Sequence, residues 1–450
     1  MFRTLCLLSL LLPSEVAAQR RSAPVSGQAL AVAINREVVR IAGSLSLWPG
    51  YHPTSVPLAI FTGDRTYLFR HPAPPPEFTT ADGVTSMPGR HPAVTANSSN
   101  LIGGVATATV LADRPGGAPS VGDYATVALH EAFHVFQRAT HAGWQGNEGD
   151  LFTYPVERAD VLRLRREESE YLRRALGATG GTRSCLTRHA MARRHERFAM
   201  LTPAHAAYER NSEMNEGLAT YVELRAAGKR RVEIPASEYP ATAVRQRFYA
   251  VGPALAFLLD GTRPDWREAL ERQDGLRLDE LLTRAVAGAS EHCLLPGAVS
   301  AAIAQRAEQD AAAVAAERVA ARRRFDERAG TRLVVEVAPG APLWPQGFDP
   351  LNVEQVAGGT LHHRMLKLGN DSLTVSMVNG EGADFEAFTE AAGDHPLFNG
   401  IRRVEIVLPG TPSITREGRV VTINAPGLQG RFAGAVVTEE PNRLVVRPRL

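Results

Sequence analysis

Apolar residues recur with two different periods along the chain, and the change of period divides it. From Gly27 to Ile41 the spacing Leu30, Ile34, Val38, Ile41 predicts a helix with one buried face, and Trp48-Pro49-Gly50 ends that region in a turn. Val56 to Phe61 and Thr66 to Phe69 flank Thr62-Gly63-Asp64-Arg65 and predict a hairpin. The proline-rich run from His71 to Pro76 and the residues on to Asn100 show no period and predict irregular surface. Val105 to Leu111 is rich in β-branched residues between Gly103-Gly104 and Pro115, which predicts a strand. At the edge of a sheet it would accept an extended peptide through main-chain hydrogen bonds, and as an interior strand it would not.

The helical period then takes over. Ser120 is placed to cap a helix through Gln137, and charged helices are expected from about Glu157 to Leu176 and from about Thr182 to Met200, with a break at Gly177 to Gly181. Pro203 opens a helix reaching about Ala227, with Gly228 to cap it. Phe248 to Leu259 is apolar, and Val299 to Arg328 is a long helix rich in alanine and arginine. From Thr331 to Leu450 the period becomes two, in short runs separated by Gly and Pro, which predicts a β domain.

Charge and cysteine content narrow the setting. Lys+Arg of 50 against Asp+Glu of 48 gives no electrostatic case for a nucleic-acid partner. Arginines crowd between Arg158 and Arg197, but Glu157, Glu167, Glu168, Glu170 and Glu196 are interleaved with them, the composition of a solvated helix face. Met1-Phe2-Arg3, an apolar stretch through Leu12 and Val16-Ala17-Ala18 have the parts of a secretory signal over residues 1–18, so the mature chain is expected to be secreted or periplasmic, without a transmembrane segment. Cys6 falls in that signal, which leaves Cys185 and Cys293 as one possible disulfide or two buried thiols.

The chemistry is concentrated in Leu129-His130-Glu131-Ala132-Phe133-His134. Residues four apart on a helix lie within about 40° of one another, so both imidazoles reach one ion. A carboxylate in so apolar a helix needs a partner, and a divalent cation with its water supplies one. The competing reading is a pair of satisfied core histidines with Glu131 paired to an arginine. A catalytic zinc takes three protein ligands. The continuation H-E-x-x-H-x-x-G-x-x-H is not met, since Gln137 and Thr140 stand where Gly and His are required and His141 is one residue out of place.

A later glutamate is the alternative. Asn215-Glu216-Gly217-Leu218-Ala219-Thr220-Tyr221 offers one, and Gly217 and Ala219 are small enough to let its helix approach another closely. Here the chain resembles the gluzincin superfamily of zinc metallopeptidases, whose members often carry Glu-Gly-x-Ala-x-Tyr well downstream of H-E-x-x-H. The resemblance spans about Val105 to Tyr221. It implies that His130, His134 and Glu216 hold Zn2+, that Glu131 is the general base, and that the substrate is a peptide or protein. Glu213, one turn before Glu216, is the substitute ligand, and Tyr249 or His205 could be a second oxyanion donor.

The fold class expected is α+β: a zincin-like catalytic region, with a small N-terminal sheet and a mainly helical part, followed by a C-terminal β domain. The divisions are an N-terminal α/β subdomain with an edge strand over 19–118, a helical zinc-binding subdomain over 119–298, a connecting helix over 299–330 and the β domain over 331–450. Two rival functions are a zinc-binding scaffold that has lost catalysis and a zinc hydrolase of a non-peptide amide. His362 and His363 are adjacent in a strand and point to opposite faces, which argues against a second metal site.

Overall fold

A computed structural model describes residues 27–113, 119–236, 239–288, 292–338, 340–349, 352–379 and 385–448. The expected signal segment lies outside the described residues. Among those residues the protein is mixed α and β, with ten helices and three sheets, and its C-terminal region is mostly strands. No helix described is long and apolar enough to cross a membrane. Two compact units are present, the described parts of Met1–Ser46 with His52–Val135, and Leu47–Tyr51 with Phe136–Leu450. The division runs through the histidine helix.

In the first unit, α1 (Gly27–Ser44) buries Ala31, Ile34, Val38 and Ile41, the stripe its period predicts. Strands β1 (Leu58–Phe61) and β2 (Arg65–Phe69) form the expected hairpin. The segment expected to be irregular contains β3 (Thr79–Ala81), β4 (Val84–Pro88) and β5 (Ser98–Ile102). Their faces are half exposed and rich in Ser and Thr, so apolar alternation is weak, but the turns were in the sequence. Asp82-Gly83 joins β3 to β4, and Gly103-Gly104 joins β5 to β6 (Val105–Leu111). Both pairs have positive φ at both residues, as a two-residue hairpin turn requires.

The strand order is β3-β4-β2-β1-β6-β5. Strand β6 runs parallel to β1 and antiparallel to β5, so it is interior, and the edges of this sheet are β3 and β5. The edge-strand role considered for Val105 to Leu111 is thereby corrected, because both of its sides are already paired. Helix α2 (Val121–Thr140) starts where Ser120 predicts: the Ser120 hydroxyl accepts from the Asp123 amide at 3.1 Å, and the Asp123 carboxylate accepts from the Ser120 amide at 2.9 Å.

The second unit contains α3 (Ala159–Gly177), α4 (Gly180–Ala199), α5 (Pro203–Ser212), α6 (Leu218–Ala226), α7 (Val244–Thr262), α8 (Trp266–Arg272), α9 (Leu278–Ala285) and α10 (Gly297–Glu327). Cys185 on α4 and Cys293 ahead of α10 form a disulfide, with Cα atoms 6.1 Å apart. The arginine-rich stretch is solvated only in part: Arg173, Arg193 and Glu196 are partly exposed, but others are not. Arg194 and Arg197 of α4, Arg247 of α7, Glu168 of α3, Glu209 of α5 and Glu213 are all at most 1 % exposed. Arg194 donates to Glu168 at 2.7 Å and grips Glu213 with two bonds of 2.6 and 2.7 Å. Arg197 reaches Glu168 at 2.7 Å and also bonds Glu209, while Arg247 lies 2.9 Å from Glu168. Three carboxylates and three guanidiniums thus pair among themselves, which is what allows such charges to be buried. Burial alone would raise the Glu168 carboxyl, but Arg194, Arg247 and Arg197 outweigh it and hold it well below the usual carboxylate range.

The C-terminal strands form a seven-stranded and a six-stranded sheet. Leu333, Val335, Val404 and Ile406 of the first share one core with Leu366, Val375, Met377, Ile423 and Phe432 of the second, so the two inner faces pack on each other. The first sheet is covered on its outer face too, where Ala321 and Phe325 of α10 meet Val356, Leu361, Phe388 and Val407. Nearer its start, α10 packs Ala307 against Leu162 of α3. This helix is a shared wall between helices and strands.

Candidate metal centre

Helix α2 owes its placement to its apolar positions. Ala125, Ala128, Leu129, Ala132 and Phe133 are at most 4 % exposed, and they carry His130, Glu131 and His134 inward with them, at 7, 8 and 6 %. The two imidazoles converge, with Nε2 atoms 3.1 Å apart and ring centroids 4.8 Å apart. Two nitrogens bound tetrahedrally to one zinc would be about 3.3 Å apart, given Zn–N bonds of about 2.05 Å. One turn further along, buried Gln137 donates to the carbonyls of Met214 at 2.9 Å and Asn215 at 3.1 Å. That bond ties the end of α2 to the backbone that carries the downstream glutamate.

The backbone there is a single π-turn, Glu213–Gly217, set between α5 and α6. Sequence predicts one unbroken helix from Pro203 to Ala227, on which Glu213 and Glu216 would share a face. A π-turn winds with roughly 4.4 residues per turn, so three steps open the angle between them by roughly a further 55°. Glu213 accordingly turns to Arg194, and its role as substitute ligand is corrected: both of its oxygens are held there. Glu216 is 8 % exposed and accepts from Arg245 at 2.8 Å through Oε1. One ligand atom from each of His130, His134 and Glu216 lies within 4.8 Å of the others. Two imidazoles and a carboxylate, all buried, match the donor set of a catalytic zinc with a position left for water.

Comparisons with protein-family models, curated proteins and solved structures return no match.

The approach of the π-turn to its neighbour depends on glycine. A Cβ on Gly217 would stand 2.6 Å from the Gly252 Cα of α7, and one on Gly252 would stand 2.5 Å from the Gly217 Cα. Pro253 follows inside α7 and cannot donate to the carbonyl of Tyr249, one turn earlier. Tyr249 itself is half-buried one turn beyond Arg245, with which it interacts electrostatically. Arg245 also reaches Glu148 at 3.2 Å.

The other histidines singled out have different work. His205 bonds the Thr153 hydroxyl at 2.9 Å, and burial lowers its pKa. His141 stacks on Trp144 at 3.8 Å and bonds Glu271 at 3.0 Å, so it is a core residue. His362 is buried against the Thr389 hydroxyl, while His363 faces Glu386 and Glu354. Cys185, His189 and Cys293 also cluster, but the two sulfurs are bonded to each other. Sequence reasoning missed Gln137 and Arg245. A polar Gln on the apolar side of α2 was a signal that a buried partner exists; for Arg245 no spacing in the chain marked it.

Proposed function

We propose that this chain is a secreted or periplasmic zinc metallopeptidase with a zincin-like, gluzincin-type catalytic region, hydrolysing peptide bonds of a polypeptide. The observation that carries the reading is the convergence of His130, His134 and Glu216, three buried donors from segments 82 residues apart in sequence at their closest, counted from 134 to 216. Zinc in that position supplies Lewis acidity towards water and a carbonyl oxygen. Glu131 takes the proton of the attacking water and returns it to the leaving amine. Tyr249 donates to the developing oxyanion. Arg245 donates to Oε1 of Glu216 and so orients the carboxylate that would hold the ion, and burial keeps bulk water from competing with the reacting one.

Keeping Glu131 favours catalysis over a scaffold role, because a scaffold could lose it and still bind metal. The test is metal analysis together with cleavage of casein and a peptide library by wild type and Glu131→Gln. Wild type is expected to carry about one zinc and to cleave, and Glu131→Gln to keep the zinc while losing about 100-fold or more in rate. Zinc without any cleavage by wild type would favour the scaffold, and unchanged zinc in His130→Ala would refute the site.

A further inference from the structure

A cavity of about 590 Å³ opens in the second unit, within the range of about 300–1,000 Å³ that holds small ligands. Leu151, Phe152, Val156, Val314 of α10, Val353 of the seven-stranded sheet and Arg245 are among the residues that line it. Arg245 links this cavity to the candidate metal centre, since the guanidinium that lines the one lies 2.8 Å from Glu216 of the other. The charged groups on its walls are already paired. Arg245 holds Glu148 as well as Glu216, Arg318 holds Glu157 at 2.8 Å and Gln355 at 2.6 Å, Glu317 meets Arg324 at 2.6 Å, and Glu354 meets His363 at 3.4 Å. Tyr154 turns its hydroxyl away to Glu209. A charged occupant would find no unpaired countercharge among these groups, whereas an apolar one would replace water against the aliphatic and aromatic walls.

We propose that this cavity is a specificity subsite, which takes one bulky apolar side chain of the Phe or Leu class from a polypeptide whose scissile bond lies at the metal. The inference rests on the metallopeptidase reading for its substrate. It gives the β domain a part in selection, because Val353 supplies a wall. The occupant is a side chain and not a whole domain: the space is lined by α10, a strand and the segment 148–156, and Arg245 on its lining bonds the proposed ligand Glu216.

The test uses N-acetylated, C-amidated hexapeptide pools in which each position in turn is fixed as Phe, Leu or Ala. Wild type, Val353→Trp and Val314→Trp are compared, the two variants reducing the space from different elements, with melting curves to verify that each folds. At one position wild type is expected to prefer Phe or Leu over Ala, and the variants to lose tenfold or more in kcat/KM on those pools while staying within about twofold on the Ala pool. Equal loss on all pools, or no loss from either variant, overturns the subsite. Binding of the same pools to zinc-loaded Glu131→Gln, followed by titration calorimetry, separates the two readings. If wild type cleaves nothing yet the Phe preference in binding is present and vanishes in Val353→Trp, the cavity stands and the peptidase falls. If binding shows no preference, the subsite falls whatever the enzyme cleaves.

Discussion

Arg245 is the residue on which the candidate centre and its surroundings meet. Its guanidinium bonds the Glu216 carboxylate from outside the proposed ligand set, and partners of this kind commonly affect metal affinity 10–100-fold. Arg245→Ala is therefore expected to weaken zinc binding about tenfold or more, with Arg245→Lys intermediate, in a competition titration against a chromophoric chelator. Unchanged affinity in Arg245→Ala would mean that the π-turn alone aims Glu216. The histidines and Glu131 were legible because their geometry is local, set by spacing on one helix. Glu216 was legible only through a resemblance of motif. Arg245 was not legible, since its relation to Glu216 is made by the meeting of α7 with the π-turn, 29 residues apart.

At the scale of elements, the π-turn decides where two neighbouring glutamates point, and the Gly217–Gly252 crossing decides how near α7 comes. Gly217→Ala forces a methyl against backbone that cannot swing aside, which is expected to cost about 1–3 kcal/mol in urea unfolding and to reduce bound zinc. Gly43→Ala on α1 is the contrast. Nothing lies within 4 Å of its added Cβ, so the change is expected to be neutral or to stabilise by up to about 1 kcal/mol. Helices were readable wherever one face is buried, as in α1, and the C-terminal strands wherever inner faces alternate. The π-turn was not readable, because one extra residue hardly disturbs an apolar period. Strands β3 to β5 were hidden by polar faces, although Asp82-Gly83 and Gly103-Gly104 announced their turns.

Across the whole molecule, buried ionisable groups set the response to pH. Burial lowers the pKa of His362 to about 3, against about 6.5 in an unfolded chain. As pH falls from about 6.5 towards 3 the unfolded chain takes up a proton that the folded one refuses, so stability is lost across that window by at most about 1.4 kcal/mol per unit. His362→Gln is expected to flatten the slope between pH 6 and 4, read as the difference from wild type in urea unfolding. His363, raised by its bond to Glu386, also presses the His362 value down, so its own titration is followed in both proteins. The interleaved Arg and Glu of α3 and α4 show why sequence misjudged that region: the same alternation suits a wet helix face and a buried cluster, and only packing distinguishes them.

That cluster has a consequence for how a cation proposed for the centre would be acquired. Glu168, Glu209 and Glu213 are paired with Arg194, Arg197 and Arg247, and Glu216 has Arg245 as its companion. If the proposed centre binds zinc, it is expected to be formed before the ion enters. Dialysis against a chelator is expected to leave the far-ultraviolet circular dichroism and a cooperative melt in place, with full stoichiometry regained on adding zinc back. A chelated chain that unravelled would show instead that the ion, and not the arginines, closes these helices around it.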